Sequence, residues 1–373
     1  MDRPTSPAWR ELAVRFAAIW GLLAIIGTVS LWVNGGPVSP FSDELARWPF
    51  LDMWARWDAQ WYERIAREGY FFSATEQSSV AFFPLYPMLL FALTKLGLGP
   101  LFAGVLLTTA LGFTAFVLFF EWCSHFAPAS ARQAGWVLAL WPVGFFLYGA
   151  VYSDALFLTL ICGAFLALEK RRFAWVVVLG VLATATRPVA PAVVVGLLAR
   201  SLELRLRAGE RLKPIDFVPA LGALGLAGWM LFQWVKFGTP TAFIETQAGW
   251  NQTPGPRTWF KLSWVEGERF LERLPRSLMH LALALTMLAM LPRVWKRLGI
   301  GYAVFVAMIV GMPLVSSIDF IGLGRYAIAG FPALFCFSVW LEEHPKWARL
   351  WWPVSAVLLG VCVSKFAIGR YIS

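Results

Sequence analysis

"VLLTTALGFTAFVLFF", residues 105–120, decides the class of this chain. It carries neither charge nor proline, and the four residues before it, "LFAG", are equally apolar. With them it can cross a hydrocarbon core as a helix, which takes about 20 apolar residues. The rest of the chain repeats the theme. Of 373 residues, 59% are hydrophobic and 14% charged, with 21 Trp and 31 Phe. A soluble domain carries about 25% charged residues. The sequence therefore reads as an all-α polytopic membrane protein, a single membrane-embedded domain over 1–373.

The formal net charge is +10, a value that also suits nucleic-acid binding. Here the basic residues sit in short clusters between apolar runs, as in cytoplasmic loops, and no stacking platform or basic groove accompanies them. Membrane lipids, not nucleic acid, are the expected surroundings. Cys123, Cys162, Cys336 and Cys362 lie in or beside predicted helices without metal-like spacing, and read as core thiols. The first apolar segment, about 12–33, lacks a small-residue cleavage site and is expected to be a retained helix, not a signal peptide.

The basic clusters "EKRR" (169–172), "RSLELRLRAGERLK" (200–213), "PRVWKR" (292–297) and "HPKWAR" (344–349) set the orientation. If they are cytoplasmic, the spans between them come in even numbers. The expected spans are 12–33, 100–122, 134–150, 154–169, 173–186, 188–202, 215–236, 276–292, 299–316, 325–341 and 350–367. That makes about 11 crossings, with the N-terminus inside and the C-terminus outside. The segment 81–98 does not fit the parity, is short, and is weakened at its start by Pro84 and Pro87. It is expected as a re-entrant or interfacial piece of a first outer loop, 34–98. A second large outer loop is expected over 237–275.

Within the first loop, "RWDAQWYERI" (56–65) poses a question. Drawn as one helix through 51–67, it puts Trp54, Trp61 and Ile65 on one face, with Leu51 and Trp57 at the margins. Arg56, Gln60, Glu63 and Arg67 fall opposite. Asp58 lies about 40° from Trp54 and about 20° from Ile65 on a wheel of about 100° per residue, inside the aromatic face. A carboxylate there is either a helix cap or partner of Arg56, or a working group.

The same topology brings several unusual polar residues to one level at the outer membrane face. They are Asp58, Tyr86 of "FFPLYP", Tyr152 and Asp154 of "YSD", Arg187 of "TRP", Gln247 and Trp250 of "FGTPTAFIETQAGW", and Arg325 and Tyr326 of "GRY". Charge at the edge of a bilayer, with span interiors almost free of acids, favours chemistry on a lipid headgroup over a conduction path. A sugar carried on a lipid phosphate has an anionic leaving group, and arginine forks suit its oxygens. The incoming hydroxyl needs a base, and a carboxylate partly desolvated among tryptophans is a stronger one. One base opposite one leaving group implies a single displacement with inversion. His125, His280 and His344 are scattered and read as structural. No motif has metal-ligand spacing, although a divalent metal between a phosphate and Asp58 or Asp154 is compatible with the residues.

The motifs "RWDAQWYERIAREGY", "FFPLYP", "YSDALF", "TRP", "FGTPTAFIETQAGW" and "GRYAIAGFP", in this order from about 56 to 332, resemble the PIG-V-type mannosyltransferases. These are membrane glycosyltransferases of the GT-C fold, related to the enzyme that adds the second mannose of GPI anchors. The resemblance implies a GT-C-like helical bundle, a polyprenyl-phosphate sugar donor, most often mannose, and inverting transfer at the outer face to a lipid or glycan acceptor. It implies Asp58 as general base and maps the family's "YSE/YSD" acid onto Asp154. Arg187 and Arg325, with Tyr326, are implied to hold the donor phosphate. Trp57, Trp61, Tyr86, Tyr152, Gln247 and Trp250 remain as candidate substrate contacts. Here the acid after "YS" is Asp where eukaryotic members commonly have Glu, and no added C-terminal domain is present, so a GPI acceptor is not implied. Compactness and cysteine usage suit a bacterial plasma membrane (the ER membrane if eukaryotic). Two rivals stay open: a lipid-linked sugar flippase, which needs polar residues deep in its spans, and a non-catalytic subunit that works with a protein partner.

Overall fold

The computed structural model describes residues 8–36, 41, 47–265 and 270–372, and among these every regular element is helical. Among the described residues, five helices are long and apolar enough to cross a membrane: Arg10–Asn34, Pro100–Phe126, Pro214–Phe237, Leu271–Leu298 and Pro345–Ala367. A sixth crossing forms if Leu323–Ala329 and Phe331–Glu343, bent by 86°, count as one. Length and composition thus account for five or six of the eleven expected crossings. Asp154–Glu169, buried along almost its whole length, forms the centre and packs on Pro100–Phe126 and Phe173–Thr184. Ala190–Arg207 packs most extensively on Ile300–Ser316. All four cysteines are buried and unpaired in disulfides.

Four expected elements come out differently. The segment 134–150 is not one helix: Pro128–Ala139 is followed by a turn and a short 3-10 helix, Gly144–Leu147. This irregular backbone is enclosed by protein, which is where a membrane protein tolerates it. Gly112 makes room for it, since a Cβ there would sit 1.7 Å from the Leu147 carbonyl oxygen. The span expected at 325–341 breaks at Gly330, ahead of Pro332, which lacks an N–H to continue a helix. The basic run 292–297 is helical, within Leu291–Leu298. Part of 200–213 is helix too, and Arg200 is buried between Glu169 (2.7 Å) and Glu203 (3.0 Å). Residues 200–202 fall within the expected span 188–202, but 203–207 and 293–297 are expected between spans; there packing against neighbouring helices overrides the charge signal.

The segment 81–98 contains the helix Leu85–Lys95, eleven residues and too short to cross. It packs on Ala59–Glu68. That helix is where the 51–67 reading fails. The chain forms Pro49–Asp52, then turns, and begins again at Ala59. A continuous helix would join the Asp58 N–H to the Trp54 carbonyl. Instead the Trp54 carbonyl accepts the Val151 N–H at 3.0 Å, and the Asp58 N–H donates to the Tyr152 hydroxyl at 3.1 Å. Trp57 takes a left-handed φ of 55° at the break.

Candidate active site

Asp58 occupies the N-cap position of Ala59–Glu68, yet its side chain makes no capping hydrogen bond. Neither does it partner Arg56. That guanidinium is buried and binds the Asp52 carboxylate at 2.5 Å and the Ala367 carbonyl at 2.8 Å, pinning the turn to the helix Pro345–Ala367. The Asp58 carboxylate instead faces Arg325, 3.6 Å away, and keeps 31% of its side chain exposed. Although solvent reaches it, burial among its neighbours pushes its pKa above the ordinary carboxylate value, against the opposing pull of Arg325.

Asp154 is the first residue of its helix, where a negative charge meets the helix dipole favourably. One of its oxygens accepts from Arg187 at 2.8 Å and the other from Arg325 at 2.7 Å. Arg187 comes from the tight turn after Phe173–Thr184, and Arg325 from the first turn of Leu323–Ala329. Gly322, at φ 92°, makes the entry to that helix, and Gly324 lets it close on His280. The Arg325 guanidinium lies 4.6 Å from the ring centres of both Phe146 and Tyr152, and Arg187 lies 5.0 Å from Tyr326. Two arginines and two aspartates thus form one connected, largely buried group, with aromatic faces covering the cations.

The structure therefore brings Asp58, Tyr152, Asp154, Arg187, Arg325 and Tyr326 together. Trp61 and Trp250 form a neighbouring aromatic patch with Phe82, their own rings 5.8 Å apart. The loop carrying Trp250 is held there by a 2.6 Å hydrogen bond between Ser78 and Thr246. Tyr86 and Gln247 make internal contacts: the Tyr86 hydroxyl pairs with Thr108, and the Gln247 amide donates to the Phe243 carbonyl. Trp57 stands 5.0 Å from Tyr371. No group of three or more His, Cys, Asp or Glu among the described residues is arranged to hold a metal ion.

Sequence reading missed Tyr62, Phe146 and Tyr371, and read His280 as structural without its partners. The Tyr62 phenol donates to Ser153 at 3.1 Å, and burial together with the Asp58 charge pushes its pKa up to about 12. Tyr62 shares the "RWDAQWYERI" motif and was within reach of a closer reading. Nothing local marks Tyr371 or His280.

No family model and no curated protein matches the sequence. Among solved structures, the archaeal oligosaccharyltransferase AglB from Archaeoglobus fulgidus, in complex with an inhibitory peptide and a dolichol-phosphate, is similar, with a TM-score of 0.50 and 11% identity. The match covers 96% of this chain and 56% of that one. The apo form of the A. fulgidus oligosaccharyltransferase gives 0.48 and 12%, with the same coverages. The chain thus spans little more than half the length of these structures. The likeness establishes the fold: an all-helical, multi-pass membrane bundle of the GT-C kind.

Proposed function

We propose that the chain is an inverting membrane glycosyltransferase that moves a hexose from a polyprenyl-phosphate donor to the hydroxyl of a lipid or glycan acceptor. The observation that carries the reading is Arg325, whose guanidinium lies 2.7 Å from Asp154 and 3.6 Å from Asp58. A phosphate-binding group and an accessible carboxylate thus share one locus. Arg187 and Arg325 hold the donor phosphate, with Tyr326 backing Arg187. Asp154 holds both forks in place, since each of its oxygens is already engaged. Asp58 takes the acceptor proton. A phosphate that draws Arg325 toward itself weakens the Arg325–Asp58 pair, and so strengthens Asp58 as a base when the donor is bound.

The fold shared with a structure in complex with a dolichol-phosphate supports a lipid-linked donor. The order of the six motifs, similar to that of the PIG-V-type mannosyltransferases, supports mannose as the sugar. Orientation follows from the basic clusters: the N-terminus is cytoplasmic, and the site and the loops 34–98 and 237–275 face outward. Transfer of label from polyprenyl-phosphate mannose by the purified protein in native lipid extract tests the reading, with Asp58→Asn alongside. Label moving to a new product with wild type alone supports it, and the product reveals the acceptor. Equal transfer by both proteins removes Asp58 from the mechanism.

A further inference from the structure

The helix Pro345–Ala367 is followed by residues 368–372, which carry no regular structure. Here they are pinned along their length. The Gly369 and Arg370 N–H groups donate back to Phe366 and Lys365, each at 2.9 Å. The Arg276 side chain donates to the Tyr371 carbonyl, and the Ile372 carbonyl lies 2.6 Å from His280 Nε2. Ile372 itself is buried. The fully buried His280 ring accepts the Gly324 N–H at Nδ1, 3.0 Å away. Its proton is therefore on Nε2 and is donated to Ile372. One neutral imidazole thus ties this segment to the residue beside Arg325.

The effect of the anchoring is to hold Tyr371 against Trp57. The two rings meet edge to face at 5.0 Å, and each residue is 40% exposed. Trp57 holds a left-handed backbone, an uncommon state for a bulky residue that persists only where the surroundings over-determine it. The next residue is Asp58, the accessible carboxylate. Burial, with the Asp58 charge adding to it, raises the pKa of the Tyr371 phenol. Two half-exposed rings of amphipathic character therefore stand beside the base. Such a pair suits a ligand with apolar C–H faces and hydroxyl edges, as a sugar ring has.

We infer that Tyr371, with Trp57, forms the acceptor subsite, that the acceptor is a carbohydrate, and that His280 is the positioning residue that keeps Tyr371 there. The inference rests on the proposed function, because it gives Asp58 the acceptor hydroxyl.

Binding measurements separate the two. The protein in lipid nanodiscs is titrated with methyl glycosides (mannoside, glucoside and galactoside) by saturation-transfer NMR, and separately with decyl-phosphate mannose. Tyr371→Ala is expected to weaken binding of the preferred glycoside about tenfold and to leave the affinity for decyl-phosphate mannose unchanged. Tyr371→Phe keeps the ring and should keep the binding. His280→Gln retains a donor for Ile372 and should bind the glycoside better than His280→Leu, which does not. If no glycoside binds wild type, or Tyr371→Ala binds as wild type does, the inference is overturned. Equal loss of both ligands in Tyr371→Ala overturns it too. If decyl-phosphate mannose fails to bind while glycoside binding depends on Tyr371, the donor reading falls and the subsite stands.

Discussion

Arg325 and Asp154 stand 171 positions apart in the chain and meet at 2.7 Å, with less than a tenth of either side chain exposed. The same carboxylate holds Arg187. Taking three charges out of water is costly unless each is paired, and removing one partner leaves the others uncompensated. The junction is therefore both the anchor of the proposed phosphate site and a vulnerable point of the fold.

Replacing Asp154 by Ala should lower stability by roughly 3–5 kcal/mol, because Arg187 and Arg325 lose the carboxylate that joins them. Thermal unfolding in detergent measures this. The double variant Asp154→Ala/Arg187→Leu should recover part of the loss, since it removes one uncompensated charge. A double variant less stable than the single one would contradict the account.

Asp58→Asn should behave in the opposite way. The side chain makes no capping bond and is partly solvated, so the melting temperature should stay close to wild type. The transfer rate should fall by about 10²–10⁴, the range for loss of a general base. Loss of folded protein on this substitution would make Asp58 structural.

The raised pKa of Asp58 also predicts a pH dependence. As the proposed general base Asp58 works in its ionised form, so the acid limb of the transfer rate should lie above the ordinary Asp value of about 3.9. The sign for stability is the reverse. The folded state binds this proton more tightly than the unfolded chain does, so the group's contribution to stability is full below the ordinary value. It diminishes as pH rises through the interval up to the raised one. A pH–rate profile and a pH series of melting temperatures check the two, and Asp58→Asn should abolish that component of the second.

Arg56→Lys should cost about 1–3 kcal/mol, because one ammonium cannot replace a fork that binds the Asp52 carboxylate and the carbonyls of Asp52, Ala55 and Ala367. The protein that does fold should transfer sugar at the wild-type rate per molecule. A selective loss of turnover, measured against folded protein, would place Arg56 in the site itself.

Local patterning made much of this protein legible. Apolar runs announced the membrane class, and the polar residues at their ends marked Asp58, Asp154, Arg187 and Arg325 as candidates. Those four do meet. Periodicity misled at 51–67, because a wheel assumes that each carbonyl finds the N–H four residues on. There the Trp54 carbonyl is claimed by Val151, nearly a hundred residues away. The expected span at 134–150 broke for a local reason: Pro142 has no N–H to continue the helix that ends at Ala139, and the non-helical backbone after it is enclosed by protein.

What the sequence determined by itself was therefore the solvent of the fold, its helical character and the short stretches where charge resists burial. These depend on composition and on spacing within a few turns. The tertiary structure alone decided that Asp58, at the N-cap of Ala59–Glu68, faces Arg325, that Asp154 serves two arginines, and that Tyr371 meets Trp57 and His280 meets Gly324. Each of those facts is a pairing between distant segments, set by which helices pack together and which buried groups must share partners.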